Sequence, residues 1–283
     1  MYTLDGGLTQ RTTNPPVPGY RRSRPVQIGN DATGQVQLGI YGDLFETVAG
    51  WVFAGHVLDT ATSRELADLA DRCADRWRHR DAGIWELHDA QHYTSSKMNC
   101  WRALTRAAEL AEAGHISGPA GRWRAEADAV RGWIDEHCWS QRKQSYTFYA
   151  GTDHLDASVL LAAKFGFDRG ARMSSTIDAL RHELAAGPLL YRYTGADQEE
   201  ATFVACAYWT VEALALVGRT DEADSLMRDL DGLGNDVGLL SEMAEPGSFA
   251  LIGNTPQALS HLAHIGAAFA LRAAASDDTE EQT

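Results

Sequence analysis

Residues 63–78, SRELADLADRCADRWR, decide the fold class. Leu66, Leu69, Ala70, Cys73 and Trp77 share one face of a helix, while Arg64, Asp68, Asp71 and Asp75 fall outside it. Ser63 offers a side-chain oxygen to cap the first turn. The same spacing recurs over 35–57, 96–113, 120–137, 155–165, 173–185, 199–217, 219–231 and 256–274, and almost nothing alternates with period two. The stretch 145–150 reads as a short strand or an extended connection. The pattern predicts an all-α chain built from helical hairpins. Gly218-Arg219-Thr220-Asp221 is a tight connection, whereas 15–31, 79–95, 186–198 and 233–255 are long and rich in Gly, Pro, aromatic and acidic residues. In antiparallel hairpins, long connections at every second junction gather at one end, where function tends to sit. No fixed-period repeat marks a regular solenoid.

Composition narrows the function. The chain has 283 residues and 44% hydrophobic content, enough for a substantial core. No stretch approaches the roughly 20 apolar residues of a membrane span. The first 18 residues lack the apolar centre of a secretory signal and read as an irregular lead-in, so a cytoplasmic location is expected. Residues 275–283 read as a disordered acidic tail. Cys73, Cys100, Cys138 and Cys206 are widely spaced and read as reduced core thiols. A net charge of −14 argues against a nucleic-acid backbone as partner, and the loop arginines Arg21, Arg22 and Arg24 are too few to outweigh it.

The long connections carry the candidate chemistry. In DAGIWELHD, 81–89, Glu86 follows Trp85 behind a glycine turn. It reads either as a working acid beside a sugar platform or as a surface glutamate beside a core aromatic. In AGPLLYRYTGADQEE, 186–200, Arg192 offers a forked donor beside the aromatic Tyr193, or pairs with Glu199 or Glu200. In 233–261, Glu242 closes the apolar run GLLSE as a positioned base or a solvated loop residue, and Asn254-Thr255-Pro256 resembles a helix start. His92, His154, His182, His261 and His264 form no HExxH set, and no nucleophile elbow, phosphate loop or GxGxxG is present. Ser95-Ser96-Lys97 lacks the spacing of a serine–lysine pair. Two loop carboxylates with neighbouring aromatics and arginines suit glycoside hydrolysis best.

Several stretches, in order, resemble glycoside hydrolase family 15, the glucoamylase and bacterial trehalase family. They are GYRRSRPVQIGNDATGQVQLGIYGD, DAGIWELHDAQHYTSSKMNCWRAL, LDASVLL, LLYRYTGADQEEATFVACAYW, VGRTDEADSL and NDVGLLSEMAEPGSFALIGNTPQALSHLAHI, spanning about Gly19 to Leu271. The resemblance implies an (α/α)6 toroid over 19–274, an inverting mechanism, an oligosaccharide or disaccharide substrate and no cofactor or metal. It implies Glu86 as general acid, Glu242 as general base, and Arg24, Trp85 and Arg192 as substrate-binding residues. The acid's pKa should be raised by burial or a nearby anion.

Departures from the family pattern accompany the resemblance. Family members carry an N-terminal β-sandwich, the first hairpins and a Trp-Arg-Asp stretch ahead of the segment matching Gly19 onward. The toroid is therefore expected to be incomplete on its N-terminal side. Exposed apolar faces and either homo-oligomerisation or a missing N-terminal partner polypeptide are expected with it. Met243 stands where a second acid is usual, Gly39 where an aspartate is common, and Ala201 where glycine is usual. A catalytically silent homologue, serving in binding or interaction, is the alternative reading.

Overall fold

The computed structural model describes residues 5, 7, 12–19 and 22–280. Half of the expected lead-in, together with Arg21 and the last three residues, lies outside the described residues. Nine α-helices dominate what is described: α1 (Ile40–Phe53), α2 (Thr60–Arg76), α3 (Thr94–Glu112), α4 (Ala120–His137), α5 (Leu161–Lys164), α6 (Ala171–Leu184), α7 (Val204–Leu216), α8 (Thr220–Leu230) and α9 (Ala258–Glu280). All nine predicted helical segments have a counterpart. The last turns of α9 reach into the segment expected as an acidic tail.

The helices form two layers. The odd-numbered helices pack side by side in chain order, α1 on α3, α3 on α5, α5 on α7 and α7 on α9. The even-numbered helices cover them: α2 and α4 lie on α3, α6 on α7, and α8 on α7 and α9. Sequence explains the layering. Helix α2 buries only Leu66, Ala70, Cys73 and Ala74, a single stripe, and so belongs outside. Helix α7 is buried almost all round, from Val204 to Ala215, and its sequence is correspondingly apolar on every face. Close approach of α1 to α3 depends on Gly42, where a Cβ would lie 2.5 Å from Asn99 Oδ1 and 2.7 Å from its carbonyl oxygen. The two ends of the row, α1 and α9, expose Ile40, Leu44, Trp51 and Phe53 on one side and Leu262, Ile265 and Phe269 on the other.

Several boundaries differ from expectation for local reasons. Helix α2 starts ahead of Ser63 because Asp59 accepts the N–H groups of Ala61 (2.9 Å) and Thr62 (3.0 Å) and takes the cap. The segment 155–165 divides into a 3₁₀ turn, Ala157–Leu160, and the short α5. Ahead of α7, Thr202–Phe203 is extended and forms β5. It pairs antiparallel with β6 (Met243–Ala244), which pairs with β7 (Leu251–Ile252). Two further hairpins are β1 (Trp139–Ser140) with β2 (Ser145–Tyr146), and β3 (Ala185–Ala186) with β4 (Leu189–Leu190). Helix α9 opens at Ala258, beyond the expected Asn254 cap, because Asn254 is engaged elsewhere. The long connections do meet: 30–38 reaches 81–91, 191–195 reaches 85 and 156, and 242–254 joins the same cluster through β5 and β6.

Candidate active site

Glu86 sits on a loop whose feet are tied by reciprocal backbone bonds, Asp81 N–H to Gln91 O and Gln91 N–H to Asp81 O, both 3.0 Å. The stem is clamped from below by Lys97, which is 0% exposed and donates from Nζ to the carbonyls of Trp77 and His79, each at 2.5 Å. Burial pulls the pKa of that ammonium down. The buried Asp81 accepts the Leu38 N–H and the Ser96 hydroxyl at Oδ2, both at 2.8 Å. Burial raises its pKa.

Pinning Leu38 brings the preceding segment onto the loop. Gln35 Nε2 donates to the Glu86 carbonyl at 3.0 Å, Gln37 Nε2 to Glu86 Oε1 at 3.3 Å, and Asn30 Nδ2 to Glu86 Oε2 at 2.8 Å. Glu86 itself has φ +57°, the left-handed region that costs an L-residue about 1–2 kcal/mol. Its carboxyl is exposed and held by side-chain amides, so neither burial nor an adjacent anion surrounds it in this structure.

Trp85 is 9% exposed and belongs to the core cluster. Its indole N–H donates to Asp156 Oδ1 at 2.8 Å, and its ring meets Phe203 edge-on at 5.5 Å and Trp209 at 6.1 Å. The Arg192 guanidinium lies over the Trp85 ring, 5.1 Å from its centroid. Arg192 is also paired with both oxygens of Glu200, with Nε 2.5 Å from Oε1. The pairing with Glu200 is therefore present, and the guanidinium it fixes is laid on the tryptophan.

Glu242 is half-buried, one residue ahead of β6. Its N–H donates to Asn254 O at 2.9 Å, and its carbonyl accepts Val204 N–H at 3.0 Å. Its Oε2 accepts from Asn254 twice, from N at 3.2 Å and from Nδ2 at 3.0 Å. Gly253, at φ +75°, makes room: a Cβ there would lie 2.8 Å from Glu242 Oε2. The path from one glutamate to the other is short. It runs from Glu86 to Trp85, from that ring to Phe203, and across the β5–β6 pairing to Met243, next to Glu242. Arg24 is exposed on the loop ahead of Asn30, and the structure links it to none of the other four by a hydrogen bond or ring contact. Among the described residues no cluster of three His, Cys, Asp or Glu could hold a metal, and no helix is long and apolar enough to cross a membrane.

Sequence reasoning assigned no role to Asp156 in LDASVLL, to Lys97, or to the amides Asn30 and Gln37, and it read Asn254 only as a helix cap. The amides lie within stretches that carry the family resemblance, which is the signal that singles them out.

The two-layer helical fold recurs in solved glycosidases. One, a wild-type glycosidase, superposes with a TM-score of 0.74 at 19% identity, covering 90% of this chain and 74% of that one. A bacterial glucoamylase complexed with acarbose superposes with a TM-score of 0.68 at 16% identity, covering 83% of this chain and 40% of that one. The sequence profile described as Glycosyl hydrolases family 15 matches residues 1–269, and the chain belongs to that family. A trehalase of Mycobacterium tuberculosis is 37% identical over 267 residues, covering 88% of this chain and 38% of the relative. A trehalase of Thermoplasma volcanium is 29% identical over 251 residues, covering 86% and 40%. The chain thus spans less than half the length of these curated relatives.

Proposed function

We propose that this chain carries the two reacting carboxylates of an inverting glycoside hydrolase that cleaves an α-glucosidic bond. Trehalose is the favoured substrate, because curated relatives similar to this chain are named trehalases; short starch-type oligosaccharides are the alternative. The row of hairpins is read as an arc of the (α/α)6 toroid. The observation that carries the reading is the continuous contact path from Glu86 through Trp85 and Phe203 to the strand of Glu242.

In this reading Glu86 gives its proton to the leaving glycosidic oxygen as the C–O bond breaks. Glu242 takes a proton from a water that attacks the anomeric carbon from the opposite face, which inverts the configuration. The geometry requires a carboxyl separation of roughly 6.5–9.5 Å, wide enough for that water. Afterwards Glu86 is ionised and Glu242 protonated, and exchange with solvent resets both. Arg192 is the candidate donor to sugar hydroxyls, Trp85 forms the wall behind the reacting ring, and Arg24, exposed on the loop that also supplies Asn30, is a further candidate donor to the sugar. No cofactor takes part. Loss of either proton-transfer group removes about 10²–10⁴-fold of the rate.

The test is glucose release from trehalose, maltose and maltotriose by the native chain, Glu86→Gln and Glu242→Gln. Release from trehalose that collapses in both variants is the expected result. Release equal in all three proteins, or none from any substrate by a folded native chain, overturns the reading.

A further inference from the structure

Asp156 is the carboxylate that the reaction scheme leaves without a role. It is 0% exposed and lies between two loops of the site. Its Oδ1 accepts the Trp85 indole N–H at 2.8 Å and the Ser158 N–H at 2.9 Å, and its Oδ2 accepts the Ser158 hydroxyl. Its backbone bridges to Tyr193, and the next residue, Ala157, donates its N–H to the Arg192 carbonyl at 2.8 Å. One residue therefore touches the loop of Glu86 through a side chain and the loop of Arg192 through the main chain.

A cap alone does not account for this. An N-cap carboxylate needs only the N–H of the turn that it caps, and Ser158 supplies it. The indole N–H comes from Trp85, far away in sequence, and a buried indole without an acceptor loses about 1–3 kcal/mol of hydrogen bonding. Trp85 immediately precedes Glu86, whose φ of +57° is a conformation that the local sequence does not favour. A strained turn persists only where its surroundings over-determine it. Glu86 is held from the solvent side by Asn30, Gln35 and Gln37. Its fixed neighbour on the core side is Trp85, gripped at the indole N–H by Asp156, on one face by Arg192, and at the ring by Phe203 and Trp209.

We propose that Asp156 is a positioning residue: its bond to the Trp85 indole locks the left-handed turn at Glu86 and aligns it with the Arg192 loop. The proposal rests on the reading of Glu86 as the acid. It acts through Trp85 and touches no reacting atom, so its signature is a loss in turnover rather than in substrate affinity. A misplacement of about 1 Å at the acid costs on the order of 10²-fold in rate.

The test uses the full chain labelled with ¹⁵N. The chain has eight tryptophans, and the Trp85 indole signal is the one that disappears in Trp85→Phe. In Asp156→Ala that signal moves upfield and exchanges with solvent about tenfold faster, and the Glu86 backbone amide signal moves with it. The indole signals of Trp77 and Trp123, bonded to Glu126 and Asp71, stay in place and report that the fold is intact. With trehalose, kcat falls about 10²-fold in Asp156→Ala while KM changes less than about threefold. Asp156→Asn keeps an acceptor at Oδ1 and restores both the protected signal and most of kcat. A Trp85 signal indifferent to Asp156→Ala, a Glu86 amide that stays put when the indole is released, or equal losses in the Ala and Asn variants overturns the proposal. Should Asp156→Ala not fold, Asp156→Asn decides alone: its neutral acceptor leaves the Trp85 indole protected from exchange but moves the signal upfield, and a signal that does not move overturns the proposal. If the native chain releases no glucose, the reading of Glu86 fails, while the two spectroscopic signals still decide whether Asp156 holds the turn.

Discussion

The two candidate carboxylates are held in opposite ways. Glu242 stands one residue ahead of strand β6 and extends its ladder: main-chain bonds to Asn254 and Val204 fix its backbone, and a glycine opposite leaves space for its carboxyl. Glu86 belongs to no regular element. Its backbone is left-handed, and its position is imposed from outside, by Lys97 and Asp81 under the stem, by three amides above and by Asp156 through Trp85. A strand places a side chain through its register alone, whereas an irregular turn has to be specified by side chains scattered over the sequence. The Glu86 loop should therefore be sensitive to changes at a distance, and the Glu242 strand to changes at its own edge.

The largest expected effect is Lys97→Met, which leaves the buried Trp77 carbonyl without its donor and takes from the part-buried His79 carbonyl its bond to Lys97. Unfolding free energy, measured in denaturant, should fall by about 4 kcal/mol. A loss under about 1 kcal/mol would mean that the stem holds itself, and the contrast with Glu242 would weaken.

Asp156→Asn tests the core side of the same loop. Burial pushes the Asp156 carboxyl from 3.8 to about 6, against the donors from Ser158 and Trp85 that pull it down. The folded chain then holds this proton more tightly than the unfolded chain. The stabilisation is complete below about pH 4 and is lost as pH rises through about 6. The asparagine variant lacks this dependence, so its stability relative to the native chain should rise by about 3 kcal/mol between pH 4 and 7. Thermal melts across that range read the difference directly, and a flat difference refutes the assignment.

On the other side of the comparison, Gly253→Ala places a methyl 2.8 Å from Glu242 Oε2 at a left-handed position. Turnover of trehalose should fall about 10²-fold, with Trp85 and Glu86 undisturbed in their ¹⁵N signals. The smallest effect is Gln37→Ala. It removes one long, exposed bond to Glu86 and should reduce kcat about threefold. A larger loss than in Gly253→Ala would reverse the ranking of the two loops.

The contrast also explains what the sequence revealed. Helices are local, so the apolar stripe of 63–78 was legible, and only boundaries moved where a rival cap such as Asp59 competed. The loops were legible as long, polar and aromatic, and Glu86 and Glu242 stood out through the family resemblance. Asp156 did not, because an aspartate before a short helical turn reads as a cap. It is one, and its second bond spans 71 residues that no local pattern connects. Lys97 was set aside for the wrong spacing of a nucleophile pair, while its actual partners are two carbonyls at the end of α2. Trp85 stood out beside Glu86, but its bond to Asp156 inside the core cluster did not, because no local pattern links the two.

The reciprocal bonds between Asp81 and Gln91 have a consequence for how such a chain can change over generations. They make the feet of the loop a fixed frame joined to α2 and α3, so the exposed residues 88–90 can vary while the helices beneath keep their register and Trp85 and Glu86 keep their places. Changes at that exposed edge can then accumulate without a fresh solution to the packing of the core.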